Sequence, residues 1–565
     1  MTTAGIDFGT TNSVVSIWTS DGPEVLPMDE PPGDWAQLGF DKVVPTVISI
    51  DDDSTTEFGW AAKTGSVPAL EAVKRLMRAD EYVTVGEHQI VIEEAVTLFF
   101  AHLKRQAAKQ GVDLDRVVVT VPANSRGVAR YRTRLCAAMA GLEVLNLINE
   151  PTAAAMAASA RMTHDGKVLV VDLGGGTLDV TLLESVGGVF IEHSSSGVPV
   201  LGGRDFDTRF AASIMETVPS AGWTPAQKKA FQLSIERAKI LLSDQEFTNV
   251  DLPDGSSRRV TRSMFDEATR SLVEKLRAPI EECLQAARIE TSDVDHLLLV
   301  GGSCKVPAVR DFVVDMLGRT PSSDINPMTA IAEGAAVAAA ILTNELEDND
   351  FFVSTEHALG TIATHSNGES YFSPIIERNR KLPAVQEEVY FPAHSGQESV
   401  NVQVIEGRAE QLDHPDNVVL KQWSVKLPSA ERGDDRSFTL RYQYDLDGLL
   451  SVRATDDLSG DILLEDDVSF GFSRDKRELV RMARNVEVAV ESGRIEPTLS
   501  QNVDDPEAIE LLQRARSKVI PFLEDEEAAA LRTLASRLEG ASSEQEVAES
   551  KEALNKALSR YSYLL

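Results

Sequence analysis

The chain is poor in cysteine, in aromatic residues and in positive charge, and it has no long apolar run. Only three cysteines occur in 565 residues. Cys136, Cys283 and Cys304 are widely spaced and form no metal-ligand pair, so too few cysteines are present for a disulfide-dense scaffold or a paired-Cys zinc motif. A reduced, cytoplasmic setting is the expectation. No stretch approaches the roughly 18 apolar residues that a membrane-spanning helix needs, and no basic-then-apolar leader pattern is visible near Met1. Asp and Glu number 89 against 55 Lys and Arg, a formal charge of −34. Nucleic-acid binding by the whole chain is therefore disfavoured, because phosphate backbones need a basic face. A single nucleotide is not excluded: a few cations, backbone N–H groups and Mg²⁺ suffice for one triphosphate. The G-x-x-x-x-G-K-[ST] phosphate loop is also missing.

What is present divides into three regions. Residues 1–345 alternate strand-like runs (Val117–Val121, Val168–Asp172, Leu297–Val300) with helix-like ones (Glu94–Gln110, Ser125–Gly141, Pro225–Leu242), the pattern of an α/β sheet domain. An acidic stretch, Leu346–Asn349, opens a linker over 346–356. Residues 357–472 change period. Val400–Ile405, Ser437–Tyr444 and Leu449–Ala454 alternate apolar and polar side chains between turn signals such as Asp445-Leu-Asp-Gly448, predicting a β-sandwich of seven or eight short strands. From 473 to 565, apolar residues recur every three or four positions in four segments, as in a small helical bundle.

Two segments resemble each other. Gly5-Ile-Asp7-Phe-Gly9-Thr10-Thr11-Asn12 and Val171-Asp172-Leu-Gly174-Gly175-Gly176-Thr177 both set Asp-x-Gly directly after an apolar strand. Glycine lets backbone amides approach phosphate, threonine hydroxyls can donate to it, and aspartates can hold Mg²⁺ through its waters. Either turn alone reads as an ordinary hairpin. Two of them, about 165 residues apart, point to a duplicated domain with a cleft between its halves. A third turn, Val300-Gly301-Gly302-Ser303, ends a strand before Val306–Met316.

Gly5–Ser13, Thr120–Ala123, Ile148–Ala154, Asp172–Val180 and Leu299–Ser303 resemble, in order and spacing, the DnaK-type 70-kilodalton heat-shock chaperones. Phe372-Ser-Pro-Ile-Ile-Glu-Arg-Asn379 is most similar to their HscC branch. The resemblance implies an actin-like ATPase domain, a peptide-binding β-sandwich and a helical lid, that is, an ATP-dependent chaperone for extended apolar segments. ATP/ADP, Mg²⁺ and K⁺ are the implied cofactors, with a J-domain co-chaperone and an exchange factor as partners. An ATP-switched scaffold that sequesters one client is the competing function. A sugar kinase of the same fold would not need the regions after 357.

The resemblance also implies roles. Asp7, Asp172 and Asp179 order Mg²⁺; Lys74, Glu150, Asp172 and Thr177 act on the γ-phosphate and its attacking water. Gly9, Thr10, Thr11, Asn12, Gly174, Gly175, Gly176, Gly202 and Gly203 cradle phosphate. Glu236, Lys239 and Ser243 contact ribose and adenine with Lys305 beside the adenine, and Gly301, Gly302 and Ser303 face phosphate or ribose. Pro122 and Arg130 form the interdomain switch, and Ile375, Tyr390, Ala393, Val400 and Val402 line the peptide groove. Departures occur at Asn124-Ser125, Asn146, Lys305, Met328 and Val353. Asn146 stands where the family uses an arginine to dock J-domains, which predicts a dedicated partner or weakened stimulation.

Overall fold

The computed structural model describes residues 2–33, 35–77, 82–85, 88–123, 125, 127–159, 165–187, 189–216, 222–322, 325–346, 355, 357–365, 368–378, 380–394, 396–407, 412, 417–428, 436–445, 450–468, 476–495, 506–520, 523, 525–539, 541 and 544–561. Asn124, the linker segment Phe351–Val353 and the start of the C-terminal region at 473 lie outside them. By contact the chain gathers into two units, one within 1–124, 136–349 and 477–565, the other within 125–135 and 350–476.

The first unit is built on two mixed sheets. In the first the strands run in the order Glu143–Asn149, Leu114–Val121, Thr2–Asp7, Asn12–Thr19, Gly22–Val25. Thr2–Asp7 pairs antiparallel with Asn12–Thr19 and parallel with Leu114–Val121. The second sheet repeats this arrangement. Gly166–Leu173 pairs antiparallel with Leu178–Val186 and parallel with His296–Val300. Each Asp-x-Gly turn therefore closes a hairpin whose first strand is flanked by a parallel neighbour. The strands facing helices on both sides are nearly continuous apolar runs, such as Val168–Val171, all buried.

Two alanine-rich helices, Glu150–Ser159 and Ala330–Leu342, pack closely on each other. Small side chains allow that approach: a Cβ on Gly334 would lie 1.7 Å from the Ala153 carbonyl oxygen. Glu150 is the first residue of its helix, so this contact also fixes where Glu150 sits.

The C-terminal helices belong to the first unit. Lys476–Ser492 turns Val486 and Ala489 into the core of the first sheet, joined by Ile495. Asn485 Nδ2 donates to Glu94 at 3.1 Å and Arg105 to the Val490 carbonyl at 3.0 Å. Pro506–Gln513, Arg514–Val519, Asp525–Glu539 and Glu544–Leu558 enclose a separate core that includes Leu511, Leu531, Leu538 and Leu554.

His102, on helix Ile92–Lys109, is buried and stacks on Phe58 with ring centroids 4.8 Å apart. Burial, reinforced by Arg105 and Lys109, pushes its pKa down to about 3. Its unfolded value is about 6.5, so between the two the unfolded chain holds the extra proton and stability falls as pH drops. The slope reaches about 1.4 kcal/mol per pH unit. Melting of wild type and His102→Phe between pH 4.5 and 7.5 should show a flatter acid limb in the variant.

The second unit contains eight strands among its described residues, in two antiparallel sheets. One runs Ser370–Ile376, Ala358–Thr364, Ser399–Gly407, Val418–Lys426, the other Ala384–Tyr390, Phe438–Tyr444, Leu450–Asp456, Ile462–Val468. The expected alternation is realised: Phe438, Leu440, Tyr442 and Tyr444 point into the core between outward Thr439, Arg441 and Gln443.

Candidate nucleotide site

A cavity of about 950 Å³ lies within the first unit. All residues assigned from sequence to nucleotide and Mg²⁺ line it except Asp179, Gly176 and Gly202. Those three stand directly behind it. Asp179 is the register partner of Asp172 across the hairpin. Gly176 accepts from Arg75 through its carbonyl, and Gly202 backs onto the Gly176 amide. The two hairpin turns meet face to face: a Cβ on Gly175 would fall 1.9 Å from Thr11 Oγ1. Thr11 Oγ1 and Asn12 Oδ1 are buried and, among the described residues, lack a hydrogen-bond partner. Buried polar atoms are normally satisfied, so a polar ligand fits there.

Lys74 sits at the meeting point of the charges. Its Nζ donates to the Phe8 carbonyl and to Glu150 Oε1 at 2.5 Å. Asp7 accepts from the Thr120 hydroxyl at 3.0 Å. Burial first, then the Glu150 charge, pushes Asp7 up to about 7, against the pull of Lys74. Asp172 lies well above the ordinary carboxylate range through burial, with Glu150, Asp179 and Asp7 adding to it. Asp7, Asp172 and Glu150 thus gather about Lys74 in a dry place, with Asp179 behind Asp172, an arrangement that a divalent cation would relieve. Among the described residues no three acidic, histidine or cysteine side chains converge at direct ligating distance. Mg²⁺ would fit this geometry by keeping several of its waters.

Around Glu236, Lys239 and Lys305 the cavity is lined by side chains that the sequence did not point to, Lys63, Glu71, Arg204, Asp207 and Lys229. Lys63 pairs with Glu236 at 2.7 Å and lies over the rings of Trp35 and Trp60, 5.2 and 5.4 Å from their centroids. Burial pushes Glu236 up, yet Lys63 and Lys239 together hold its pKa below the ordinary value. Lys239 pairs with Asp207 at 2.7 Å and donates to the Gly203 carbonyl at 3.0 Å. Lys229 donates to the carbonyls of Ala62, Gly65 and Val67 at 3.0, 2.5 and 3.1 Å, and Arg204 pairs with Glu71. Lys305 has its pKa lowered by burial, and Met328 packs against the Trp35–Phe40–Trp60 cluster. The only local signal for Lys63 was its three-residue spacing from Trp60. Replacing Lys63 with Met should leave Glu236 buried without its cation and speed nucleotide release about tenfold, because truncating one partner of a buried pair acts on dissociation. Stopped-flow release of a fluorescent ATP analogue measures it.

The remaining assignments scatter. Pro122 follows strand Leu114–Val121 in the first unit, whereas Arg130 falls in the second. There Arg130 borders a small cavity with Thr355 and Glu406, and the Gly127 amide donates to both Glu406 carboxylate oxygens at 3.1 and 3.2 Å. Ile375 and Val402 are buried in the sandwich core, while Tyr390 and Val400 lie at its margin. Tyr390 shares a 2.9 Å hydrogen bond with the Ser373 hydroxyl, and Ala393 is exposed on a loop. Asn146 is 2% exposed and accepts from the Leu147 amide at 2.7 Å, so it presents no surface to a partner.

The family model described as Hsp70 protein matches residues 67–563. The protein described as chaperone protein DnaK of Thermosipho melanesiensis is 34% identical over 476 residues, covering 80% of this chain and 78% of that one. The protein of the same description from Thermotoga neapolitana is 34% identical over 481 residues, 81% of this chain and 78% of its own. With a match of this extent, and with the five motifs of the sequence drawn to one cavity or its rim, the chain belongs to the Hsp70 family.

Proposed function

We propose that the cavity around Lys74 is where this chain, an ATPase and ATP-dependent molecular chaperone, binds and hydrolyses ATP. The observation that carries the assignment is Lys74 Nζ held between the Phe8 carbonyl and Glu150, with Asp7 and Asp172 alongside. A γ-phosphate at this end would meet the Lys74 ammonium and the Thr11 hydroxyl, and Glu150 would orient the attacking water. Mg²⁺, held through its waters by Asp7 and Asp172, would offset the charge of the leaving phosphate. Such chemistry needs position and electrostatics, and no covalent nucleophile.

The finer reading is an actin-like duplicated ATPase domain, a sandwich that takes extended apolar peptide, and a helical lid. The doubled hairpin-plus-parallel-strand arrangement and the eight-stranded sandwich support it. Phe372–Asn379 supports the HscC branch. Pro122 and Arg130 are proposed to relay nucleotide state, and Val400 and Tyr390, at the sandwich margin, to meet peptide by main-chain and side-chain contact. J-domain and exchange partners are proposed to be dedicated ones, since Asn146 offers no cation and no exposed surface. The cell compartment proposed is the cytoplasm, and K⁺ is proposed as a second ion of the phosphate end.

The test is ATP turnover of wild type and Lys74→Ala, each with and without an unfolded apolar peptide. Lys74-dependent turnover that peptide accelerates supports the assignment. Turnover that survives the substitution overturns it, and turnover indifferent to peptide favours an ATP-switched scaffold.

A further inference from the structure

Three half-buried apolar side chains, Leu38, Ile240 and Met328, line the nucleotide cavity and come from separate parts of the first unit. Leu38 sits on the π-helical turn Ala36–Phe40, directly after Trp35. Gly39 in that turn has φ 85°, a left-handed conformation that glycine adopts without steric cost. Ile240 lies on helix Pro225–Asp244, next to Lys239 and one turn beyond Glu236. Met328 stands beside the third glycine turn. There the Gly301 amide donates to the Pro327 carbonyl at 2.8 Å, and a Cβ on Gly302 would lie 3.9 Å from Met328 Cγ. All three side chains pack against one aromatic cluster, Trp35, Phe40 and Trp60, whose ring centroids are 5.1 to 6.1 Å apart. They therefore form one wall, beside Glu236, Lys239 and Gly302.

The chemistry of this wall selects what it meets. The cations next to it, Lys63 and Lys239, are each held by a carboxylate at 2.7 Å, Glu236 and Asp207. Leucine and isoleucine offer a phosphate no donor, and the methionine thioether is only a weak acceptor. What the three side chains offer is apolar area. Left facing water it is unfavourable, and a flat, uncharged group that covers it recovers that free energy. A nucleobase with its ribose is such a group, and the unbranched methionine adapts its shape to a ring laid against it. We infer that Leu38 and Met328, with Ile240 between them and Glu236, are nucleoside-contact residues, forming the wall on which the base and ribose of the nucleotide pack. The inference rests on the cavity being the nucleotide site.

The experiment uses the full chain. Binding of MgATP, adenosine and tripolyphosphate is measured by competition with a fluorescent ATP analogue. Wild type, Leu38→Ala, Met328→Ala and Leu38→Met are compared, with thermal melting as a check on folding. Each alanine variant is expected to lose about fivefold in affinity for MgATP and for adenosine alike, the scale of a few methylenes of apolar contact. Tripolyphosphate should compete as it does in wild type, and Leu38→Met should stay near wild type. Unchanged adenosine affinity in either alanine variant, or an equal loss for tripolyphosphate, overturns the inference. A wild type that binds MgATP but no adenosine overturns it as well. Lys74→Ala turnover run in parallel separates the two readings. If wild type binds nucleotide and turnover needs Lys74 while the alanine variants bind adenosine normally, only the wall falls. If wild type binds neither MgATP nor adenosine, both fall.

Discussion

Lys74→Ala is expected to slow ATP turnover about a hundred- to a thousandfold, the usual cost of removing one preorganised charge from a transition state. Among the described residues, Lys74 is the cation that counters Asp7 and Asp172. Without it, Glu150 loses its 2.5 Å partner and becomes a buried carboxylate beside two others. Glu150 then has no cation to fix the direction of its carboxylate, and a carboxylate that is not held in place orients water poorly. Affinity for ATP should change less than turnover, because Thr11, Asn12 and the backbone amides of both turns remain. Single-turnover kinetics at saturating MgATP, set against equilibrium binding, separates the two effects. A parallel fall in affinity and rate would mean that Lys74 serves binding alone.

Gly334→Ala is expected to destabilise the first unit by about 1–2 kcal/mol net, despite alanine being the better helix former. Helix propensity favours the change by roughly 1 kcal/mol. Against that stands a Cβ placed 1.7 Å from the Ala153 carbonyl oxygen and 2.4 Å from its carbon. Backbone atoms on both sides leave no flexible side chain to move aside, and overpacking of this kind costs about 1–3 kcal/mol and sometimes more. Helices Glu150–Ser159 and Ala330–Leu342 must then separate, which drags Glu150 from Lys74. The variant should melt about 1–3 °C lower and lose turnover beyond what the melting explains. Thermal melting together with ATPase assays below the transition checks both parts.

Much of the site was legible because its residues are local to strand ends. An apolar strand running into Asp-x-Gly leaves few alternatives to a tight turn, and both turns are where their sequences put them. The sandwich was legible for a similar reason, since period-two alternation in Phe438–Tyr444 states which face is inside. What closes the cavity was not legible. Lys63 and Glu236 lie 173 residues apart, and nothing in either neighbourhood names the other. Helix Lys476–Ser492 advertised an apolar face by its spacing but could not say that Val486 and Ala489 join the core of the first sheet. Asn146 looked like a changed docking residue, and only its burial explains why an uncharged side chain is at home there.

The three buried thiols have a practical consequence. Cys136, Cys283 and Cys304 are 0, 0 and 3% exposed, and burial pushes the Cys304 pKa up to about 12. Since the thiolate is the reactive form, maleimide dyes should pass over all three in the native chain. A pair of cysteines introduced on exposed positions, one in each unit, could then carry donor and acceptor fluorophores without background labelling. Any change in the spacing of the two labels on adding ATP would become a distance read in real time, on a protein otherwise unaltered.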